Sequence, residues 1–239
     1  MATKRTHAAV TFANGAPSSA KNQSFAPTGD LAGWVDTDYS GAQFNNKNHV
    51  VNSSVPTKLY GADGTLLSSG TLQFDAHGNP IKRSITSFAR DGVTATGTTE
   101  VDYTKAVFDH HRKVVSGMVT SIYTPAGGGA KTLSERVYGG SHVPVVKRLT
   151  TIAPDASIPA LTSKSAYRPD GTLAEVTEQV SDRQAKVTQY AANGRTAIKT
   201  YLVDYSGTTI TGNRISSGSV QLQAQGGNQW PLSKTVVSY

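Results

Sequence analysis

The segment Phe108-Asp109-His110-His111-Arg112, shortly after Asp102-Tyr103-Thr104-Lys105, holds the densest set of proton-transfer groups in the chain. If it runs as a strand, alternation puts Tyr103, Lys105, Asp109 and His111 on one side, with His110 and Arg112 on the other. Asp109 would then orient His111, raise its basicity and leave a general base near neutral pH. Tyr103 would donate a proton from the same face, and Lys105 would neutralise a substrate carboxylate. Acid–base polysaccharide lyases and some isomerases use such groups on an open sheet. The competing reading is that paired histidines in a polar strand, or beside a turn, are simply solvated. Adjacent histidines on a regular strand face opposite sides and no third ligand is close, which argues against zinc.

A second constellation is Asp36-Thr37-Asp38-Tyr39-Ser40-Gly41. Carboxylates at alternate positions, a hydroxyl two further on and a glycine for the turn resemble the first half of a calcium loop, with Asp36, Asp38 and Ser40 as ligands. The position that would carry the bidentate glutamate is Lys47, so distant residues would have to complete the site. An Asx-rich turn holding its own backbone explains the same residues. Ten tyrosines and two tryptophans suit sugar stacking on an exposed sheet, with Trp34, Tyr201 and Tyr205 as candidate ligand-binding residues. Cross-strand packing explains most aromatics without a ligand. No Gly-x-Ser-x-Gly nucleophile elbow is present. Gly127-Gly128-Gly129 lacks the Lys-Ser/Thr of a phosphate loop and reads as a hairpin tip, and Gly139-Gly140-Ser141-His142 is similar, although His142 could line a cleft.

The elements that must position these residues announce themselves by repetition. Tyr60-Gly-Ala-Asp-Gly64, Phe74-Asp-Ala-His-Gly78, Phe88-Ala-Arg-Asp-Gly92, Tyr167-Arg-Pro-Asp-Gly171 and Tyr190-Ala-Ala-Asn-Gly194 each place an aromatic before a polar-Gly turn. Glycine accepts positive φ there, and the aromatic packs across to the neighbouring strand. Thr196–Tyr205 and Val101–Val107 alternate as strands do. Helix is scarce, confined to a short turn near Asp182–Ala185. The chain is therefore predicted to be all-β: a long antiparallel meander of hairpins, roughly ten to fourteen strands, forming a curled sheet or an open barrel or sandwich.

The aromatic-x-x-Asp/Asn-Gly turn followed by polar alternating strands resembles the YD repeats of Rhs-type and wall-associated bacterial proteins. The likeness covers roughly residues 60–205 and is best at Phe74-Asp75-Ala76-His77-Gly78-Asn79 and at Tyr167–Val176. Among the five turns only Phe74-Asp75 keeps the aromatic-Asp order, and the chain is short for that family's enclosing shell. The resemblance implies an exported protein with a spiralling sheet and a binding, packaging or scaffold role.

Residues 1–55 lack the turn repeat and read as an extended arm or cap, while 56–239 form one β domain with halves at 56–152 and 153–239. Pro154, Pro159 and Pro169 mark the loop-rich seam, and Trp230 and Tyr239 are expected to close the last strand. The 239 residues carry a net charge of +7 and a pI near 9.5, yet the basic residues are scattered, and the densest groups are pairs, Lys82-Arg83, Arg112-Lys113 and Lys147-Arg148. A nucleic-acid stripe is therefore disfavoured. Hydrophobic content is 37% and the balance is Ser, Thr, Asn, Gln and 23 glycines, as in sheets with a solvated face. The absence of cysteine suits an exported bacterial protein, secreted or at the cell surface, whose leader is absent from this sequence. No apolar run reaches membrane-helix length, and strands such as Asp102–Val114 are too charged for a lipid-facing barrel. The leading expectation is a module that binds or scaffolds, with polysaccharide or another surface protein as partner. An open-sheet lyase or isomerase and a self-assembling fibre or coat subunit, joined through the N-terminal arm, are the alternatives.

Overall fold

Between short turns, alternating β-branched and hydroxyl side chains leave the backbone one economical way to satisfy its hydrogen bonds, which is pairing with the next strand. The computed structural model describes residues 5–152, 160–211, 214–225 and 231–238, and pairing runs through all of it. The N-terminal strands are β1 (Arg5–Ala13), β2 (Ala16–Phe25) and β3 (Leu31–Asp38). A two-stranded hairpin of β4 (Gln43–Phe44) and β5 (Val50–Val51) stands apart from the main sheet. The meander resumes with β6 (Ser54–Gly61), β7 (Leu66–Phe74), β8 (Pro80–Phe88), β9 (Ala95–Asp102), β10 (Ala106–Phe108) and β11 (Val114–Pro125). It continues through β12 (Lys131–Gly139), β13 (Pro144–Ile152), β14 (Ala160–Tyr167), β15 (Leu173–Ser181) and β16 (Gln184–Tyr190). The last strands are β17 (Ala197–Asp204), β18 (Thr208–Thr211), β19 (Arg214–Gln225) and β20 (Pro231–Ser238).

The protein is all-β, one open antiparallel meander of 18 strands. Each strand pairs with the next in the chain, except that β10 continues β9 along β11, and β18 continues β17 along β19. The count exceeds ten to fourteen because β1 to β3 of the N-terminal arm join the sheet and two strands are split. Ser181 pairs with Gln184, so the stretch near Asp182–Ala185 is a hairpin turn rather than helix. No helix among the described residues is long and apolar enough to cross a membrane. Within residues 1–55, β1 to β3 belong to the sheet, β3 pairing with β6. Residues 39–53 leave it to lie over one face. Pro154, Pro159, Trp230 and Tyr239 lie outside the described residues.

The two split strands are copies of one another. Ala89, Gly92, Thr94, Ala95, Val101, Asp102 and Tyr103 recur in the same order and spacing as Ala191, Gly194, Thr196, Ala197, Val203, Asp204 and Tyr205. At each break the Asp side chain accepts a 2.8 Å bond from the amide two residues on, Thr104 in one copy and Ser206 in the other. The split is closed by the Met118 amide on the Lys105 carbonyl (2.9 Å) and the Ser219 amide on the Gly207 carbonyl (3.0 Å). Gly117 (φ +83°) and Gly218 (φ +101°) make those approaches, and a Cβ on either would stand 2.1 Å from the facing carbonyl oxygen.

An odd number of strand steps separates β9 from β17, so the second copy runs the opposite way and presents its equivalent face to the other side of the sheet. The registers bear this out. Val55, Leu72, Arg83, Val101 and Ser121 are successive cross-strand partners on one face. That row continues through Ser134, Leu149, Ser163 and Glu178 to Lys186, whose neighbour Ala185 points the other way and pairs with Val203 and then Leu222. The buried residues Val55 (3% exposed) and Val119 thus lie on one side, while Ala185, Val203 (5% exposed) and Val220 lie on the other.

Neither side is sealed by a second layer. The accessible surface is 14975 Å², whereas a compact 25.1 kDa monomer would show about 10,000 Å². Among the described residues no side chain falls below 2% exposure. Residues 39–53 cover part of one face, and Val50 and Val51 within them are buried.

Candidate functional site

The segment carrying Asp109 and His111 is a tight turn, not a strand. The Asp109 amide donates to the Lys113 carbonyl and the Arg112 amide to the Asp109 carbonyl, each at 2.9 Å. One Asp109 oxygen accepts the amides of His111 and Lys113, also at 2.9 Å. The Lys113 amide foremost holds this carboxyl below the ordinary carboxylate range. The carboxylate expected to orient the His111 ring binds that residue's amide instead, because Asp after an aromatic favours closing a turn on its own backbone. Its other oxygen lies 3.4 Å from Nε2 of His142, whose Nδ1 is 3.3 Å from the Val114 carbonyl. His111 packs on His110 with ring centroids 3.8 Å apart. Tyr103 packs 6.3 Å from Phe108, and the Lys105 side chain is exposed. The alternation that would have aligned Tyr103, Lys105, Asp109 and His111 breaks first at the turn between β9 and β10, over residues 103–105, and again after Phe108.

The turn has close relatives. The Phe74 turn makes the same four backbone and carboxylate bonds through Asp75, His77, Gly78 and Asn79. The same backbone pair closes the turns that begin at Phe25, Phe44, Tyr60 and Tyr167. The slot with positive φ is Gly29, Asn48, Gly64, Gly78 or Gly171 in those turns, and Arg112 (φ +60°) in this one. Among the described residues every other non-glycine at positive φ is asparagine, which tolerates it. An arginine there costs about 1–2 kcal/mol in backbone strain.

Arg112 points into a half-open cavity of about 370 Å³ between the 39–53 cover and the sheet. Its floor is Ala20, Thr37, Val55, Thr57 and Leu72 from the sheet, with Phe74 beside the guanidinium. The cover supplies Tyr39, Phe44, Asn48, His49 and Val50. That cover is tied down by the Tyr39 amide to the Ser18 carbonyl (2.9 Å) and the Asn52 amide to the Asp75 carbonyl (3.0 Å), and the Gln43 amide to the Ser53 hydroxyl (2.7 Å) closes it on itself. Nη2 of Arg112 is buried and has no hydrogen-bond partner, alone in this among the buried side-chain polar atoms described. A Cβ on Gly78 would stand 3.0 Å from that nitrogen and 2.9 Å from the Val50 carbonyl oxygen, so the guanidinium is wedged against a side-chain-free turn. No carboxylate lines the cavity.

The other candidates lie elsewhere. Trp34 stacks on Tyr60 at 5.1 Å, carries the Lys21 ammonium over its ring at 4.3 Å and donates its indole N–H to Asp36 at 3.1 Å. Asp38 accepts the Ser40 amide at 2.9 Å, which foremost lowers its pKa. Asp36 and Asp38 thus serve an indole and a turn, and no group of three or more His, Cys, Asp or Glu positioned to hold a metal occurs among the described residues. Tyr201 lines an open trough of about 400 Å³ with Glu175, Val187 and Gln189, whereas Tyr205 lines a separate one of about 160 Å³. Ten strands separate β3 from β17, so Trp34 stands roughly 50 Å along the sheet from either tyrosine.

Arg112 and the cavity were not among the residues singled out from sequence. The signal was present: Phe108-Asp109-His110-His111-Arg112 matches Phe74-Asp75-Ala76-His77-Gly78 in its aromatic, Asp and fourth-position His, with arginine in the glycine position. No protein-family model matches the chain, and no curated protein matches it in sequence.

Proposed function

We propose that this protein is an exported, non-enzymatic β-sheet module that binds or scaffolds, with a polysaccharide as its partner. What carries the reading is the ratio of surface to mass. A chain that exposes half as much again as a compact monomer, over a sheet lined with hydroxyls, amides and aromatics, is built to present area. The separate troughs along it would receive successive parts of an extended polymer. An acid–base enzyme needs its base, orienter and acid around one point. Here Asp109 serves a turn and His142, and His111 rests on His110.

A thermal-shift screen against neutral and acidic polysaccharides, read together with the ultraviolet absorbance of unsaturated sugar products, tests this. Stabilisation without product is the expected result. Product formation that is lost in His111→Ala would make the protein a lyase and overturn the reading.

One observation favours a second reading, self-assembly. The outer edges of β1 and β20 are unpaired among the described residues, and Phe12 on β1 is 63% exposed. Free edges of this length are templates for strand addition. Sedimentation of the full chain against a variant lacking β1 distinguishes the two: concentration-dependent growth that disappears with β1 would favour assembly.

A further inference from the structure

The cavity beneath residues 39–53 combines three features that suit an anionic ligand. The Arg112 guanidinium lines it, with Nη2 packed against the Gly78 turn and no protein acceptor for that nitrogen. The residue bearing it occupies a left-handed slot filled by glycine or asparagine in its sibling turns, and strain of that kind persists where the side chain has work to do. The walls supply no carboxylate to answer the charge, although they do supply the Tyr39, Thr37 and Thr57 hydroxyls, the Asn48 amide and the His49 ring.

We propose that this cavity binds the carboxylate of an acidic sugar, a uronate residue of a glycan, with the Arg112 guanidinium as its anchor. The inference rests on the polysaccharide reading above and specifies its subsite and its ligand charge. A planar guanidinium matches a carboxylate through paired N–H donors. Phe44 and Phe74 offer apolar faces for the C–H side of a sugar ring, and the hydroxyls and amide on the rim suit its hydroxyl groups. The volume of about 370 Å³ falls within the usual range of small-ligand sites, about 300–1,000 Å³, and admits one ring while the open side lets a chain continue. Residues 44–50 form one wall, so an occupied cavity would also hold the cover against the sheet.

The test is calorimetric titration of the full chain with trigalacturonate and, separately, with the neutral galactotriose, for the wild type, Arg112→Gly and Arg112→Lys. Arg112→Gly puts in the slot the residue its siblings use, so the fold should survive with an unchanged or higher Tm. The expected result is binding of trigalacturonate alone, weakened about tenfold or more by Arg112→Gly. Arg112→Lys should lie between, since it keeps the charge and loses the fork. Equal binding of both trisaccharides, indifferent to Arg112, would overturn the uronate site while leaving the glycan reading standing. Binding of neither, with no stabilisation by any polysaccharide in the broader screen, would remove both. A lower Tm for Arg112→Gly with unchanged trigalacturonate binding would make Arg112 a structural wedge and overturn the proposal.

Discussion

The two copies of the split strand share a backbone and differ in company. Beside β9–β11 the turn that follows β10 carries a strained arginine, which reaches a cavity between residues 39–53 and β2, β3, β6 and β7. Around β17–β19 the equivalent face looks to the other side of the sheet and borders open troughs. The shared parts, the Asp-Tyr break and the glycine opposite it, are what a single-layer sheet needs in order to bend. The parts that differ are those that can meet a ligand. The scaffold occurs twice, and only the first copy has a neighbouring turn whose side chain reaches the cavity under residues 39–53.

The largest expected effect tests whether the copies are equal as structure. Gly117→Ala and Gly218→Ala each force a Cβ to 2.1 Å from a carbonyl oxygen at positive φ. Each should cost about 3 kcal/mol, combining strain with a clash that only backbone movement relieves. Urea titration of the two variants should give matching drops in midpoint. A drop in one alone would show that the second copy bends by other means.

A smaller contrast concerns two arginines in sibling turns. Arg168 donates to the Leu173 carbonyl at 2.7 Å and the Tyr190 carbonyl at 2.6 Å, lacing three strands together, at the position Gly61 holds in the sibling Tyr60 turn. Arg168→Ala should destabilise by about 2 kcal/mol, because two charge-assisted bonds to backbone are lost. Arg112, with no such acceptor, should show the opposite sign when it becomes glycine. Equal losses at both positions, measured by thermal unfolding, would erase the distinction between a structural and a ligand-facing arginine.

How far the sequence reveals these features depends on how local each one is. The turns were legible because Asp-Gly and Asn-Gly need only their own backbone, and they predict the antiparallel meander that the structure contains. A cap within residues 1–55 is legible from their lack of the turn repeat, but its limits at 39–53 are not, since Val50 acquires meaning only over Val55 and Leu72 of the sheet. Asp109 and His111 were misplaced for a related reason. The strand pattern of Val101–Val107 was carried past Phe108, although an aromatic followed by Asp already marks a turn at Phe74. The duplication was visible in Val101-Asp102-Tyr103 and Val203-Asp204-Tyr205, but its inversion across the sheet follows from the number of strands between them, which no local pattern counts.

The smallest effect separates the copies by charge alone. Asp91 and Asn193 close equivalent turns: Asp91 accepts the Val93 and Thr94 amides at 2.9 Å, and Asn193 accepts those of Arg195 and Thr196 at 2.9 and 3.0 Å. The threonine hydroxyl donates to Asp91 in the first, whereas the Asn193 amide donates to Thr196 in the second, as an amide in place of a carboxylate requires. The Thr94 hydroxyl, then the Val93 and Thr94 amides, hold the Asp91 carboxyl below its ordinary value. A depressed folded pKa means that the carboxylate's contribution is complete above the unfolded value of about 3.9 and is lost as pH falls through the folded value. Asn193 does not titrate. Amide protection at Val93 and Thr94 should therefore decline relative to Arg195 and Thr196 as the solution is acidified below about pH 4. Asp91→Asn should remove that difference while leaving protection at neutral pH unchanged. Parallel loss in both turns would mean that acid loosens the sheet as a whole, through carboxylates such as Asp102 that the copies hold in common with Asp204.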